Sequence, residues 1–179
     1  MNSKKKQSEN VDLRKLAITC YENREFNQCV NLLQDIKDPT VDDLNLLGIS
    51  LKNIGKNLEA FNVFERTSEK YPKHAVTANN LSAQALVLNQ SNRAIEAANL
   101  ALSLQSDYPE AFYNKGNALL SLGDLNRALD SFEFAVGLRP NYLKAWMNLG
   151  VVYQKMSQYD QALHSYIKAL EIDSTCDRT

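Results

Sequence analysis

The chain repeats itself every 34 residues. Displaced by that interval, Gly116 falls on Gly150, and Ala60, Ala94, Ala128 and Ala162 fall on one another. Phe64, Phe132 and Tyr166 share a register, as do Ala101, Ala135 and Ala169, and Pro72 coincides with Pro140. Four full units start at Val41, Ala75, Pro109 and Leu143, covering 41–74, 75–108, 109–142 and 143–176. A degenerate unit over 10–40 precedes them, with its register carried by Leu16, Cys20, Phe26, Cys29 and Leu33. Residues 1–9 are polar throughout and read as a disordered tail. A constant period of this length describes one supersecondary unit that cannot bury its apolar side alone. Such units become stable only by stacking.

Each unit holds two apolar stripes at helical spacing, such as Leu44, Leu47, Leu51 and then Ala60, Phe64. A short polar break separates the stripes, as in Ile54-Gly55-Lys56-Asn57 or Leu122-Gly123-Asp124-Leu125. Gly or Asn there suits the left-handed conformation that ends a helix. Gly48, Ser82, Gly116 and Gly150 are small enough to let the two helices of a unit approach closely, and Ala60, Ala94, Ala128 and Ala162 serve the facing helix. Pro72 and Pro140 stop second helices. Ten helices follow, two per unit, in an all-α chain.

The run Trp146-Met147-Asn148-Leu149-Gly150-Val151-Val152-Tyr153, followed by Ala162, Tyr166 and Ala169, matches the signature of the tetratricopeptide repeat. The chain beyond residue 10 resembles that family. The resemblance implies a right-handed α-solenoid of about five helix-turn-helix units, with a concave groove lined by first helices, and a protein-binding scaffold or adaptor as its role. Some units depart from the pattern. Lys115 stands in the register of Leu81 and Leu149, Ala78 in that of Phe112 and Trp146, and Ala98 in that of Phe132. The third unit is therefore under-filled and is expected to be the softest joint.

Composition removes several function classes. Net charge is −1, so no basic footprint for nucleic acid exists. No apolar run approaches the roughly 18 residues that span a bilayer. Cys20, Cys29 and Cys176 are odd in number and widely spaced, which fits a reducing, cytoplasmic setting better than a disulfide framework. His74 and His164 lie 90 residues apart with no partner at metal-ligand spacing, and solvated side chains explain both. Cys20 and Cys29 occupy registers suited to core packing. Asp12, Asp42 and Asp43 read as helix-start carboxylates. No phosphate loop or nucleophile elbow is present. No enzymatic activity, metal or cofactor is expected.

The second, fifth, sixth, ninth, twelfth and thirteenth residues of each unit are expected to face the groove. Asn80, Asn114 and Asn148 share the sixth position and form a row of carboxamides able to pair with both groups of a peptide bond. The row resembles the asparagine ladder in the superhelix of O-linked N-acetylglucosamine transferase. Beside it come Asn79, Tyr113, Asn117, Met147 and Val151 as further peptide-binding candidates. The expected partner is an extended peptide or another protein, with no nucleic acid and no membrane. Two alternatives stay open. The chain could be an N-terminal substrate-recruiting module of a larger, transferase-type enzyme, or it could self-associate through the apolar side of its last unit, at Leu163, Ile167, Leu170 and Ile172.

Overall fold

In the computed structural model, the backbone is described for residues 2–176 and the side chains for residues 10–174. Ten α-helices follow one another, and among the described residues there is no strand: α1 Asn2–Glu22, α2 Phe26–Gln34, α3 Val41–Asn53, α4 Asn57–Lys70, α5 Ala75–Val87, α6 Ser91–Leu104, α7 Pro109–Ser121, α8 Leu125–Leu138, α9 Leu143–Lys155 and α10 Tyr159–Cys176. They pair into five antiparallel hairpins, and each hairpin packs on the next. The α1 backbone is helical from Asn2, so it runs through the polar residues that polarity alone assigns to a disordered tail. Asp12 consequently lies within α1 and not at its start. Asp42 and Asp43 do occupy the first turn of α3.

One turn closes all five hairpins. Arg24, Gly55, Asn89, Gly123 and Ser157 have φ of 63°, 79°, 57°, 79° and 60°. The residue after each sends its N–H back five positions: Glu25 to Cys20, Lys56 to Leu51, Gln90 to Ala85, Asp124 to Leu119 and Gln158 to Tyr153, at 2.8–3.0 Å. This is the glycine-type helix stop with its long return hydrogen bond. Arg24 and Ser157 take the same left-handed geometry with a Cβ, at a cost a glycine would not carry.

Inside each hairpin, packing depends on a small residue facing a large one. A Cβ placed on Gly48 would lie 2.5 Å from the Phe64 ring, one on Gly116 2.7 Å from Phe132, and one on Gly150 2.5 Å from Tyr166. The aromatic ring therefore occupies the volume a side chain would need. In the third hairpin the ring is absent, since Ala98 stands in its register, and there Ser82 fills the small position and donates from Oγ to the Ala94 carbonyl at 2.8 Å. The first hairpin pairs Ala17 with Leu33, both buried. Leu16 is 47 % exposed, so the seventh position of the first unit does not reach the core.

The core divides along the stack. One cluster runs from Ala17 and Cys20 through Phe64 and Leu81 to Ala97 and Ala118. A second gathers Leu119, Phe132, Leu149 and Val152. Ile95 packs against both. The division falls where Ala78 and Ala98 replace larger residues and where Lys115 replaces a core leucine. Lys115 stays half-buried, and burial, together with the charge of Arg127, pushes its ammonium below the ordinary lysine value.

The first hairpin is tied to the second by charge. Arg14 of α1 reaches Asp43 of α3, with Nε 2.9 Å from both carboxylate oxygens and Nη2 2.8 Å from Oδ2. Asp43 also forms a capping box with Thr40. Burial raises the Asp43 carboxyl, but the Arg14 and Thr40 hydrogen bonds outweigh it and hold the group below its ordinary value. At the other end of the stack, Leu163, Ile167 and Leu170 on α10 are 60 %, 45 % and 67 % exposed.

Two outcomes follow from this packing. Gly150→Leu destabilises the fifth hairpin by about 1–3 kcal/mol through overpacking. In the third hairpin, Ala98→Phe destabilises alone and regains stability when combined with Ser82→Gly. Thermal midpoints of the three variants check both, and a midpoint equal to the parent's for Gly150→Leu contradicts the close contact. For Asp43, a depressed folded value means its contribution is complete above the ordinary aspartate range and disappears as pH falls through the folded value. Asp43→Asn should therefore lower stability near neutrality and flatten the acid limb of a stability-versus-pH curve. An unchanged acid limb would contradict the assignment.

Candidate functional site

The candidate groove is the face of the first helices, α3, α5, α7 and α9, that does not pack against a second helix. Its residues are held in place from one hairpin to the next by carboxamide pairs. Asn80 donates from Nδ2 to Asn45 Oδ1 at 3.2 Å, Asn114 to Asn79 Oδ1 at 2.9 Å, and Asn148 to Asn117 Oδ1 at 2.6 Å. Each sixth-position asparagine thus bridges to an asparagine on the preceding first helix. Asn45 is further fixed by Thr77, whose Oγ1 donates to Asn45 Oδ1 at 3.1 Å. Thr77 in turn meets His74, which is not a free turn residue but the N-cap of α5, accepting from the Thr77 N–H at 3.2 Å.

The candidates therefore fall into two groups. Asn114 and Asn79 are only 7 % and 8 % exposed. Asn79 accepts from Asn114 at its Oδ1. These two act within the stack. Asn80, Asn117 and Asn148 are half-buried, and Tyr113 and Val151 likewise, while Met147 is 49 % exposed. Tyr113 is braced by ring contacts with Phe132 at 6.0 Å and Tyr142 at 5.1 Å between centroids. Burial, then the neighbouring Tyr113 and Glu110, pushes the Tyr142 hydroxyl up to about 12, so it stays protonated through the physiological range. Apolar side chains line the same face: Ile18 and Val87 are 50 % and 46 % exposed, and Ile49, Ala83, Leu86 and Leu120 are partly exposed.

A carboxamide carries two N–H donors and one oxygen. The cross-hairpin bond uses one donor of Asn80 and one of Asn148, so each retains hydrogen-bonding capacity toward a ligand. Asn45 was not among the sequence candidates. Its register with Asn79 was the available signal, and the neighbouring Leu46 at the sixth position obscured it. Arg14, which the first unit offers to the same face, is engaged by Asp43 instead.

Cys20 and Cys29 are buried core residues, and burial pushes the Cys29 thiol up while its Sγ contacts Ser50 Oγ at 3.2 Å. Among the described residues no group of three or more His, Cys, Asp or Glu is arranged to hold a metal ion. No helix there is long and apolar enough to cross a membrane.

Comparison with known proteins agrees with this fold. Residues 109–142 and 143–176 each match the tetratricopeptide repeat family, unit for unit. No curated protein sequence matches the chain. Among solved structures, a MamA double mutant from RS-1 superposes with a TM-score of 0.85 at 20% identity, covering 96% of this chain and 98% of that one. MamA from Desulfovibrio magneticus RS-1, residue 41 to its end, gives 0.84 at 19% identity, over 93% and 96% of the two chains. MamA from AMB-1 gives 0.73 at 26% identity, over 92% of each. The chain is similar to these proteins over nearly its whole length, and the likeness is one of fold: a right-handed α-solenoid of tetratricopeptide type.

Proposed function

We propose that this tetratricopeptide-type solenoid is a protein-interaction scaffold that holds an extended segment of a partner along the face of its first helices. The observation that carries the reading is the bridged asparagine row. Asn80 and Asn148 are oriented by neighbours before any ligand arrives, so little side-chain freedom is lost on binding. Successive first helices lie on the order of 10 Å apart, as packed helices do. An extended chain advances roughly 3.3 Å per residue. A carboxamide can then meet the partner backbone about every third residue, while Ile49, Leu86, Leu120 and Met147 offer apolar contact between the rungs. Backbone pairing of this kind makes weak demands on partner sequence, and the apolar residues supply the selectivity.

A displayed library of random peptides tests this reading. Clones selected on the parent protein should lose about tenfold or more in affinity for an Asn80→Ala, Asn148→Ala double variant, the loss of one to two ligand hydrogen bonds. They should be indifferent to Leu58→Ser on the exposed side of α4. Undiminished binding to the folded double variant would sink the proposal.

Self-association is a second reading, favoured by one observation. Leu170 stands in the register of Val136, which the next hairpin buries to 8 % exposure on α8, whereas Leu170 is 67 % exposed. The outer side of α10 thus has the composition of a buried interface. Light scattering over a tenfold concentration range should show a dimer that Leu170→Glu disperses, and a monomer at every concentration would exclude this reading.

A further inference from the structure

The clefts between successive second helices share one register and hold different side chains. In the cleft of α4, α5 and α6, an arginine of the chain itself is bound: Arg93 Nη2 lies 3.2 Å from Glu65 Oε1, and Nη1 lies 3.0 Å from Glu96 Oε2. Two periods further on, in the cleft of α8, α9 and α10, Glu133 occupies the register of Glu65, but Gln161 occupies that of Arg93. Trp146 and Tyr153 replace Ala78 and Ala85, and Asp160 replaces Asn92. A cavity of 420 Å³ opens there, lined by Glu133, Val136, Trp146, Tyr153, Asp160 and Gln161, among others. The carboxylate has been kept and its internal cation has not. Among the described residues no ion pair involves Glu133 or Asp160.

The walls are rigidly set. Trp146 Nε1 donates to the Pro140 carbonyl at 2.8 Å, which fixes the indole plane. The Tyr153 hydroxyl donates to Glu133 Oε1 at 2.6 Å. Burial, then Glu133, pushes that hydroxyl up to about 12, so the donor persists at neutral pH. A carboxylate offers about four lone pairs, so the Tyr153 bond leaves Glu133 acceptor capacity for a cation. The intervening cleft serves as an internal contrast. There Asn99 takes the place of the carboxylate, and Lys115 and Arg127 already bring two positive charges.

We propose that the α8–α9–α10 cleft receives an arginine side chain of a partner protein, supplying in trans the guanidinium that Arg93 supplies in cis two units earlier. Charge complementarity and shape both select this occupant. A guanidinium is planar and weakly hydrated, stacks on an indole and forks onto carboxylates, whereas an ammonium is compact and strongly hydrated. The cleft opens on the side of the second helices, away from the asparagine row, so a partner can engage both faces or either one.

Trp146 is the single tryptophan of the chain, so its fluorescence reports this cleft alone. N-acetyl-arginine amide should change the emission saturably at constant ionic strength. The citrulline amide, its uncharged counterpart, should not, and the lysine amide should bind more weakly. Glu133→Gln should weaken arginine amide binding about tenfold, the loss of one charge-assisted hydrogen bond. Gln161→Arg should restore the cis arrangement, shift the emission toward that of the occupied parent and abolish the titration, with circular dichroism showing the helices intact. Arginine and citrulline amides acting alike, lysine amide binding as tightly as arginine amide, or a Gln161→Arg variant that still titrates would each overturn the proposal.

Discussion

The contact of a small residue with a larger one inside each hairpin, a bare glycine against an aromatic ring in three of the five, sets the geometry on which everything else rests. At Gly48, Gly116 and Gly150 a side chain would collide with Phe64, Phe132 or Tyr166 within 2.5–2.7 Å. The two helices can therefore cross only where one presents bare backbone. Where the ring shrinks to Ala98 or Leu33, the opposite position grows to Ser82 or Ala17. The larger opposite residue offsets only part of the lost ring volume, so the hairpin keeps its helix pairing while the third unit stays under-filled. Because hairpin geometry is preserved in this way, neighbouring hairpins meet at a constant relation. The 34-residue period in sequence then becomes a period in space.

That constancy made the fold legible and left half of the site hidden. Helix starts at Val41, Ala75, Pro109 and Leu143 coincide with the unit starts of the period, and the second helices start in step at Asn57, Ser91 and Leu125 because Gly55, Asn89 and Gly123 mark the left-handed turn in the same register. Ser157 and Arg24 take that turn without the residue type that announces it. The asparagines were visible as a row, but not as pairs. Pairing of Asn114 with Asn79 and of Asn148 with Asn117 depends on how far one first helix is rotated against the next. Two acceptors, Asn45 and Asn79, sit at the fifth position, while Asn117 sits at the ninth, so no fixed spacing encodes the bridge. Likewise, the union of Arg14 with Asp43 crosses the irregular junction after the short first unit, where the period fails.

Small residues at one junction explain why the core divides, and the stacked architecture explains why the division is tolerated. In a stack, each hairpin touches only its neighbours, so a thin junction weakens one interface and leaves the rest intact. Ala78, Ala101 and Ala111 form a small separate cluster at that junction, and Lys115 brings a charge into a register held elsewhere by leucine. Its long apolar stem covers surface there, while burial, with the charge of Arg127, lowers the ammonium below the ordinary lysine value. Polar bridges matter most at such a place. The Asn114–Asn79 bond crosses the same junction and supplies a directional restraint that a layer of alanines lacks.

A repeated register also lets one structural position serve different ends without disturbing the fold. In successive clefts the register of Glu65 reads Glu, Asn and Glu, and that of Arg93 reads Arg, Arg and Gln. In the first, the chain neutralises its own carboxylate, since Arg93 bridges Glu65 and Glu96. In the second, the carboxylate is absent, Arg127 pairs with Asp124 of its own helix start, and Lys115 is half-buried. In the third, the carboxylate remains beside Trp146 and Tyr153 with no internal cation among the described residues. Exposed ion pairs contribute little to stability, typically below about 1 kcal/mol, so losing Arg93's counterpart costs the stack almost nothing. A carboxylate held by a tyrosine hydroxyl at the lip of an aromatic cavity is a different matter, because removing water from that site strengthens its attraction for a cation. Packing accounts for the aromatic residues alone and cation binding accounts for the carboxylates alone. The arginine side chain proposed for this cleft would engage both together, more fully than an ammonium can.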